Sequence, residues 1–293
     1  MHRFLRAIGF SKINSRNDMD KLIGIIMDQP KLVKKADTEN DSTYTEITKE
    51  FAPHTGITLR GDYDKLGFFH LDHYFPYCES TVITSHIDTT INKRVDTNAF
   101  TGMCDDLRLG ISLIFYLQNA IDYMKLHCQD NIPQRAKLSL SGLSLQGCIL
   151  LGIDQTEAAK EKHNYDVLMR SHLIAKARNG DQEAIDNLTI DEIDLSSRIN
   201  KRIKHEDLYS IVETTFIPYG SESDNYSIIG TILKSQSFVN PYTNEEIYQL
   251  LIDCNDIILN VSINKLDLVG EPAADRRFKG TIWMQGHADF PQI

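Results

Sequence analysis

Short runs of β-prone residues constrain the fold of this 293-residue chain more than any other feature of its sequence. Four runs rich in Thr, Tyr, Phe, Val and Ile occur between residues 44 and 91, and four more lie between residues 226 and 285. Turn-forming Gly, Pro, Asp and Asn residues separate the runs, as they separate strands in antiparallel sheets. The first series predicts a strand meander. The second predicts a small β-barrel of the OB or SH3-like kind.

Other segments in the first half carry helical or strand patterns. Residues 15–18 supply a cap for a helix whose apolar face begins at Met19 and ends before Pro30. Residues 107–128 carry the broadest apolar face at helical spacing, which predicts the central core helix of the N-terminal part. Residues 3–12 and 137–153 have strand-like patterns.

The middle of the chain is charged and helical in character. Within residues 156–208, Gly180 can end one helix and Asp181 can cap the next, which predicts an αα-hairpin over residues 175–188. The predicted fold class is therefore α+β. A mixed domain with a central core helix spans residues 1–155, a helical connector spans 156–208, and a C-terminal small β-barrel domain spans 209–293.

Composition narrows the classes of partner. The formal net charge of -10 repels the phosphate backbone, which disfavours nucleic acid. No apolar run is long enough to span a bilayer, and the amino-terminal segment lacks the features of a signal peptide. The five cysteines are scattered singly, as in proteins of a reducing compartment. We therefore expect a cytoplasmic protein that does not enter the membrane.

The sharpest chemical motif combines His86-Ile87-Asp88 with the Gly102–Gly110 segment that contains Asp105. It resembles the first two metal motifs of co-catalytic zinc aminopeptidases and deacylases. The resemblance implies that His86 and Asp105 are zinc ligands and that Asp88 orients either His86 or a catalytic carboxylate. Those enzymes also need a Glu-Glu pair, and this chain has Ser, Leu, Gln and Gly at residues 144–147. In the alternative interpretation, His86 faces solvent on an edge strand and Asp105 caps the core helix.

A second histidine motif is His70-Leu71-Asp72-His73. It matches the end of the metallo-β-lactamase signature, but Phe68 occupies the position of the leading histidine. A polar, exposed strand face explains the same residues without a metal.

In the predicted terminal barrel, cations alternate with aromatic side chains. Arg277, Lys279 and Trp283 are predicted to lie outside the barrel or at an interface, where they could hold a single nucleic-acid strand. Acidic residues outnumber basic ones in the same region, which argues against that function.

Five segments carry a resemblance to a known family: residues 1–10, 102–110, 112–119, 270–272 and 276–280. Together they resemble the bacterial family called domain of unknown function 3881, over nearly the whole chain. The resemblance implies a bacterial cytoplasmic protein. It brings no activity, cofactor or catalytic residue with it.

The leading interpretation is a non-enzymatic binding or regulatory protein that presents an acidic surface to a protein or small-molecule partner, with no cofactor. The first alternative is a zinc-dependent hydrolase of the aminopeptidase or deacylase type, active or degenerate, with zinc at His86 and Asp105. The second alternative is a single-strand binder that uses Arg277, Lys279 and Trp283.

Overall fold

The described part of the chain consists mainly of β-strands. The computed structural model describes residues 1–37, 43–95, 97–106, 110–127, 135–152, 169, 172–177, 180–188, 190, 214–221 and 223–291. Its strands are β1 Leu32–Asp37, β2 Thr43–Ala52, β3 Thr55–Tyr63, β4 Phe69–Cys78, β5 Ser85–Lys93, β6 Phe100–Asp106, β7 Ile111–Leu117, β8 Arg135–Leu150, β9 Thr215–Pro218, β10 Asn225–Val239, β11 Glu246–Cys254, β12 Ile257–Asn264, β13 Leu268–Val269 and β14 Arg277–Asp289.

The described helices are short. Helix α1 spans Arg16–Asp28 and α2 spans Ala120–His127, with 3₁₀ helices at Arg3–Ile8 and Lys265–Asp267. The side chain of Ser15 accepts a hydrogen bond from the backbone of Asp18, and the Asp18 side chain accepts one from the backbone of Ser15. This capping box confirms the predicted start of the first helix.

Strands β1 to β4 form a four-stranded antiparallel sheet in sequence order, and the remaining strands form a larger sheet. In the larger sheet, β8 and β14 pair with each other along most of their lengths. Strands β12, β11 and β10 connect β8 back to β14, and so, by a second path, do β5, β6 and β7. The pairings therefore close two rings that share β8 and β14, and closure leaves these strands without free edges.

Close packing of β8 on β14 depends on small residues. A Cβ atom placed on Gly147 would lie 2.4 Å from the ring of Phe278, which is fully buried. Glycine is therefore required at this point of β8, because any side chain would displace the aromatic ring.

The buried apolar side chains form two main clusters. The first draws on strands of both rings and includes Phe115, Phe278 and Met284. The second joins the Arg3–Ile8 helix, α1 and the four-stranded sheet to Tyr116, Leu143 and Trp283 of the larger sheet. Strand β14 thus contributes side chains from alternate positions to both clusters.

The predicted α+β fold class is wrong, because the described residues form two large sheets across the chain. Residues 111–117 of the predicted core helix form β7, and among its described residues only Ala120–His127 is helical. A continuous apolar run fits a buried strand as well as a helix, so spacing alone could not separate the two. The predicted strand over residues 3–12 is also wrong, because Arg3–Ile8 is a 3₁₀ helix.

The four C-terminal strands are confirmed as β10, β11, β12 and β14. They do not form a separate small barrel domain, because their ring closes only through β8 from the first half of the chain. Strand pairing between distant segments leaves no trace in local sequence patterns, which is why the prediction failed.

The predicted helical connector, residues 156–208, lies largely outside the described residues, as do the predicted domain boundaries. Among its described residues, 169, 172–177, 182–188 and 190 are helical, and Asp181 accepts a hydrogen bond from the backbone of Ala184 as a cap. No helix among the described residues is long and apolar enough to cross a membrane.

Candidate functional site

A cavity of about 500 Å³ opens beside the Arg3–Ile8 helix. We call it the Trp283 cleft. Four parts of the chain line it: the first four residues, Arg94 after β5, the segment before β10, and Trp283 on β14. The described residues that line it are Met1, His2, Arg3, Phe4, Arg94, Ser221, Ser223, Asp224 and Trp283.

Aromatic rings form the floor of the Trp283 cleft. The rings of Phe4 and Trp283 stack with centroids 5.3 Å apart, and the His2 ring lies 4.8 Å from Trp283. Trp283 is only 5% exposed, because the Arg3–Ile8 helix and the four-stranded sheet cover this face of β14. The floor of the cleft is therefore closely packed.

One buried carboxylate fixes the polar wall. Asp224 Oδ2 accepts hydrogen bonds from Arg94 Nη2 at 2.5 Å and from Trp283 Nε1 at 3.0 Å. Arg94 Nε donates to Thr101 Oγ1 at 2.8 Å, and its guanidinium lies 5.7 Å from the centre of the Tyr116 ring. These contacts hold the Arg94 side chain in one orientation while 39% of it stays exposed.

His2 contributes a buried polar atom. Its Nδ1 is inaccessible to solvent and has no hydrogen-bond partner among the described residues. Burial, aided by the positive charge of Arg3, lowers the pKa of His2 to about 4. The imidazole is therefore neutral at neutral pH.

Behind the cleft, a fully buried arginine joins the two sheets. Arg60 on β3 donates from Nε to Glu46 Oε2 at 2.8 Å, from Nη1 to the Tyr116 hydroxyl at 3.2 Å and from Nη2 to the carbonyl of Gln118 at 2.5 Å. Glu46 is 6% exposed, so both charges of the pair are buried. Such a pair holds its elements in place because each buried charge needs the other.

The same Tyr116 hydroxyl contacts His73. His73 Nε2 lies 3.1 Å from that hydroxyl, and His73 Nδ1 lies 3.1 Å from Asp72 Oδ2, which also accepts from the Tyr44 hydroxyl. Burial raises the pKa of Tyr116 to about 12 and is the main cause that lowers the pKa of His73. Tyr116 therefore stays protonated, and its hydroxyl donates a hydrogen bond to His73 Nε2. His73 Nδ1 in turn donates a hydrogen bond to Asp72.

This arrangement explains the second histidine motif without a metal. His70 Nε2 lies 2.9 Å from Asp64 Oδ2, and His73 binds within the network under the cleft. The ring of Tyr116 lies 5.2 Å from that of Trp283, so the network supports the floor of the Trp283 cleft.

The predicted zinc ligands lie on exposed positions of two strands. His86 on β5 is paired with Lys137 of β8, and Asp105 on β6 accepts a hydrogen bond from the hydroxyl of Ser112. Across the described residues, no three His, Cys, Asp or Glu side chains are grouped so that they could hold a metal ion. Zinc binding by His86 and Asp105 stays a prediction.

The alternative interpretation of this motif is correct in one respect. His86 is exposed, but β5 pairs with both β6 and β8 and is not an edge strand. Asp105 lies within β6 and does not cap a helix.

The three residues of the predicted binding surface have different surroundings. Arg277 is 4% exposed and donates from Nε to the carbonyl of Leu151 at 3.0 Å, and Trp283 is similarly buried. Lys279 is partly exposed. Of these three side chains, Lys279 is therefore the one that can contribute to an exposed surface. Binding of a partner by the three residues stays a prediction.

Sequence reasoning missed His2, Arg94 and Asp224. They come from three separate segments, and 130 positions separate Arg94 from Asp224. None of them belongs to a spaced motif, so no local signal pointed to them.

Comparison with known proteins gives one match. Neither a curated protein nor a solved structure matches the chain. A family model matches residues 5–286, as the resemblance of the five sequence segments led us to expect. The chain therefore belongs to the family described as "Domain of unknown function, E. rectale Gene description (DUF3881)", whose function is not known.

Proposed function

We propose that this chain is a non-enzymatic binding protein and that the Trp283 cleft takes a small molecule. A volume of about 500 Å³ is within the range of small-molecule sites, roughly 300–1,000 Å³. One observation carries the proposal: Asp224 holds both Arg94 and Trp283 in fixed positions at the wall of this cavity. Groups held in place before binding lose little entropy when a ligand arrives.

The fixed pairing of the polar groups supports binding rather than catalysis. Asp224 is already bonded to Arg94 and Trp283, and Tyr116 keeps its proton at neutral pH because burial raises its pKa. A general base or nucleophile works best with a pKa near the operating pH. We propose the bacterial cytoplasm as the place of action, which the singly spaced cysteines and the family description support.

The test uses Trp283, which is the single tryptophan of the chain. The protein is screened against amino acids, nucleosides, sugars and organic acids, and the readouts are Trp283 fluorescence and the melting temperature. A ligand at about 100 times its Kd adds roughly 2.7 kcal/mol to the free energy of unfolding. We expect a rise in melting temperature of roughly 5 °C or more, together with a saturable change in fluorescence.

A pair of variants shows whether binding occurs in the cleft. Ser223→Tyr places a ring in the Trp283 cleft and should abolish both signals. Ser237→Tyr adds the same ring at an exposed position of β10 outside the cleft lining and should leave them intact. Equal binding by the Ser223→Tyr variant, or no ligand for the wild type, would refute the proposal.

A further inference from the structure

The charge of the Trp283 cleft differs from that of the chain as a whole. The formal net charge of the chain is -10, yet the described lining of the cleft contains two guanidinium groups, Arg3 and Arg94, and one carboxylate, Asp224. A guanidinium group that lines such a cavity attracts an anion even when the distant surface of the protein is acidic.

Arg94 is the cation best placed to bind a ligand. Asp224 engages its Nη2 and Thr101 engages its Nε, whereas its Nη1 has no hydrogen-bond partner among the described residues. Nη1 carries two N–H donors. Because the rest of the guanidinium is held in place, binding through these donors costs little further side-chain freedom.

Further donors lie along the same cavity. No hydrogen bond to another described residue engages the hydroxyls of Ser221 and Ser223, and both residues are exposed at the cleft. A guanidinium and two hydroxyls together form a set of donors suited to oxygen atoms that carry negative charge.

We infer that the small molecule bound in the Trp283 cleft carries an oxyanion, a carboxylate or a phosphate, and that Arg94 Nη1 donates to it. The inference rests on the proposed function and names the chemical class of its ligand. Asp224 acts as a positioning residue that holds Arg94 and the Trp283 indole, and it competes with the ligand for the charge of Arg94.

The experiment titrates the full chain with three transparent probes at constant ionic strength: succinate, inorganic phosphate and succinamide, the neutral match of succinate. Saturable changes in Trp283 fluorescence should occur with succinate or with phosphate and should not occur with succinamide. The stronger of the two anions identifies the oxyanion.

Variants of arginine test the assigned donor. Arg94→Gln should weaken binding of the anion by about tenfold or more, because a hydrogen bond to a charged group is lost. Arg94→Lys keeps the charge and should fall between this variant and the wild type. Arg16→Gln removes the same charge from an exposed position of α1 and should bind like the wild type.

Asp224→Asn decides the matter if Arg94→Gln does not fold. The substitution removes the competing charge and leaves an amide oxygen to accept from Trp283 Nε1. Affinity for the anion should then rise severalfold, and an unchanged or lower affinity contradicts the inference.

Three other results overturn the inference: succinamide binds as well as succinate, Arg94→Gln binds the anion like the wild type, or neither anion binds at concentrations up to about 20 mM, where even a weak site would fill. Failure of the two proposals can be told apart. If neutral compounds from the screen bind in the cleft and anions do not, the binding function stands and the oxyanion is wrong.

Discussion

Removing the positive charge of Arg60 should destabilise the protein strongly, because Arg60 is fully buried and bonded to Glu46, Tyr116 and the carbonyl of Gln118. In Arg60→Met, the carboxylate of Glu46 would remain 6% exposed with its counter-charge gone. Loss of one partner of a buried pair costs about 3–5 kcal/mol. For a chain of this size, that corresponds to a fall in melting temperature of roughly 6–20 °C.

The measurement is urea unfolding followed by circular dichroism, on Arg60→Met, Glu46→Gln and the double variant. Glu46→Gln removes the orphaned charge, so the double variant should be more stable than the sum of the single losses by about 1–3 kcal/mol. Lys31→Met is the matched control, because the Lys31–Glu50 pair is exposed and should contribute less than about 1 kcal/mol. A loss below about 1 kcal/mol in Arg60→Met, or additive losses in the double variant, would refute the reasoning.

Two further predictions concern His2 and the zinc motif. The pKa of His2 is about 4 in the folded protein, compared with 6.5 in the unfolded chain. Between these two values the unfolded chain binds a proton at His2 and the folded chain does not, so the free energy of unfolding falls as the pH drops from 6.5 to 4. At about 1.36 kcal/mol per pKa unit, the His2→Phe variant should lose up to about 3 kcal/mol less stability than the wild type over that pH range. Identical pH profiles of the two proteins in urea unfolding contradict this. The zinc motif is tested by mass spectrometry of protein purified without a His-tag or chelator. If the hydrolase alternative holds, near-stoichiometric metal is present in the wild type and disappears in a His86→Ala, Asp105→Ala double variant. A wild type without metal excludes the hydrolase alternative.

Turn chemistry explains why the C-terminal strands were predictable. The prediction of a strand over residues 246–254 matches β11, which is flanked by Asn244 and Asn255 at positive φ angles of 59° and 56°. Asn tolerates this conformation, and strand-ending signals of this kind are local. The region around Ile111–Leu117 lacks such a signal, because an apolar run of seven residues is compatible with a buried helix and with a buried strand.

The candidate site was less accessible to sequence reasoning. The sequence predicted that Trp283 lies outside the barrel or at an interface, and Trp283 does lie on the face of β14 opposite the buried Phe278, Ile282 and Met284. That face is also buried, because the four-stranded sheet and the Arg3–Ile8 helix pack on it. Which surface of a strand is covered depends on elements far away in the sequence, and a single sequence does not show their arrangement.

The sharing of β8 and β14 by both rings has a consequence for synthesis of the protein. Neither ring can close before Arg277–Asp289 has left the ribosome, because β14 is a member of both. Until then, the apolar faces of β5 to β8 and β10 to β12 remain without their final partner, and contacts between distant segments form slowly. The nascent chain is therefore expected to depend on chaperones that cover exposed strands, and to acquire protease resistance in one late step.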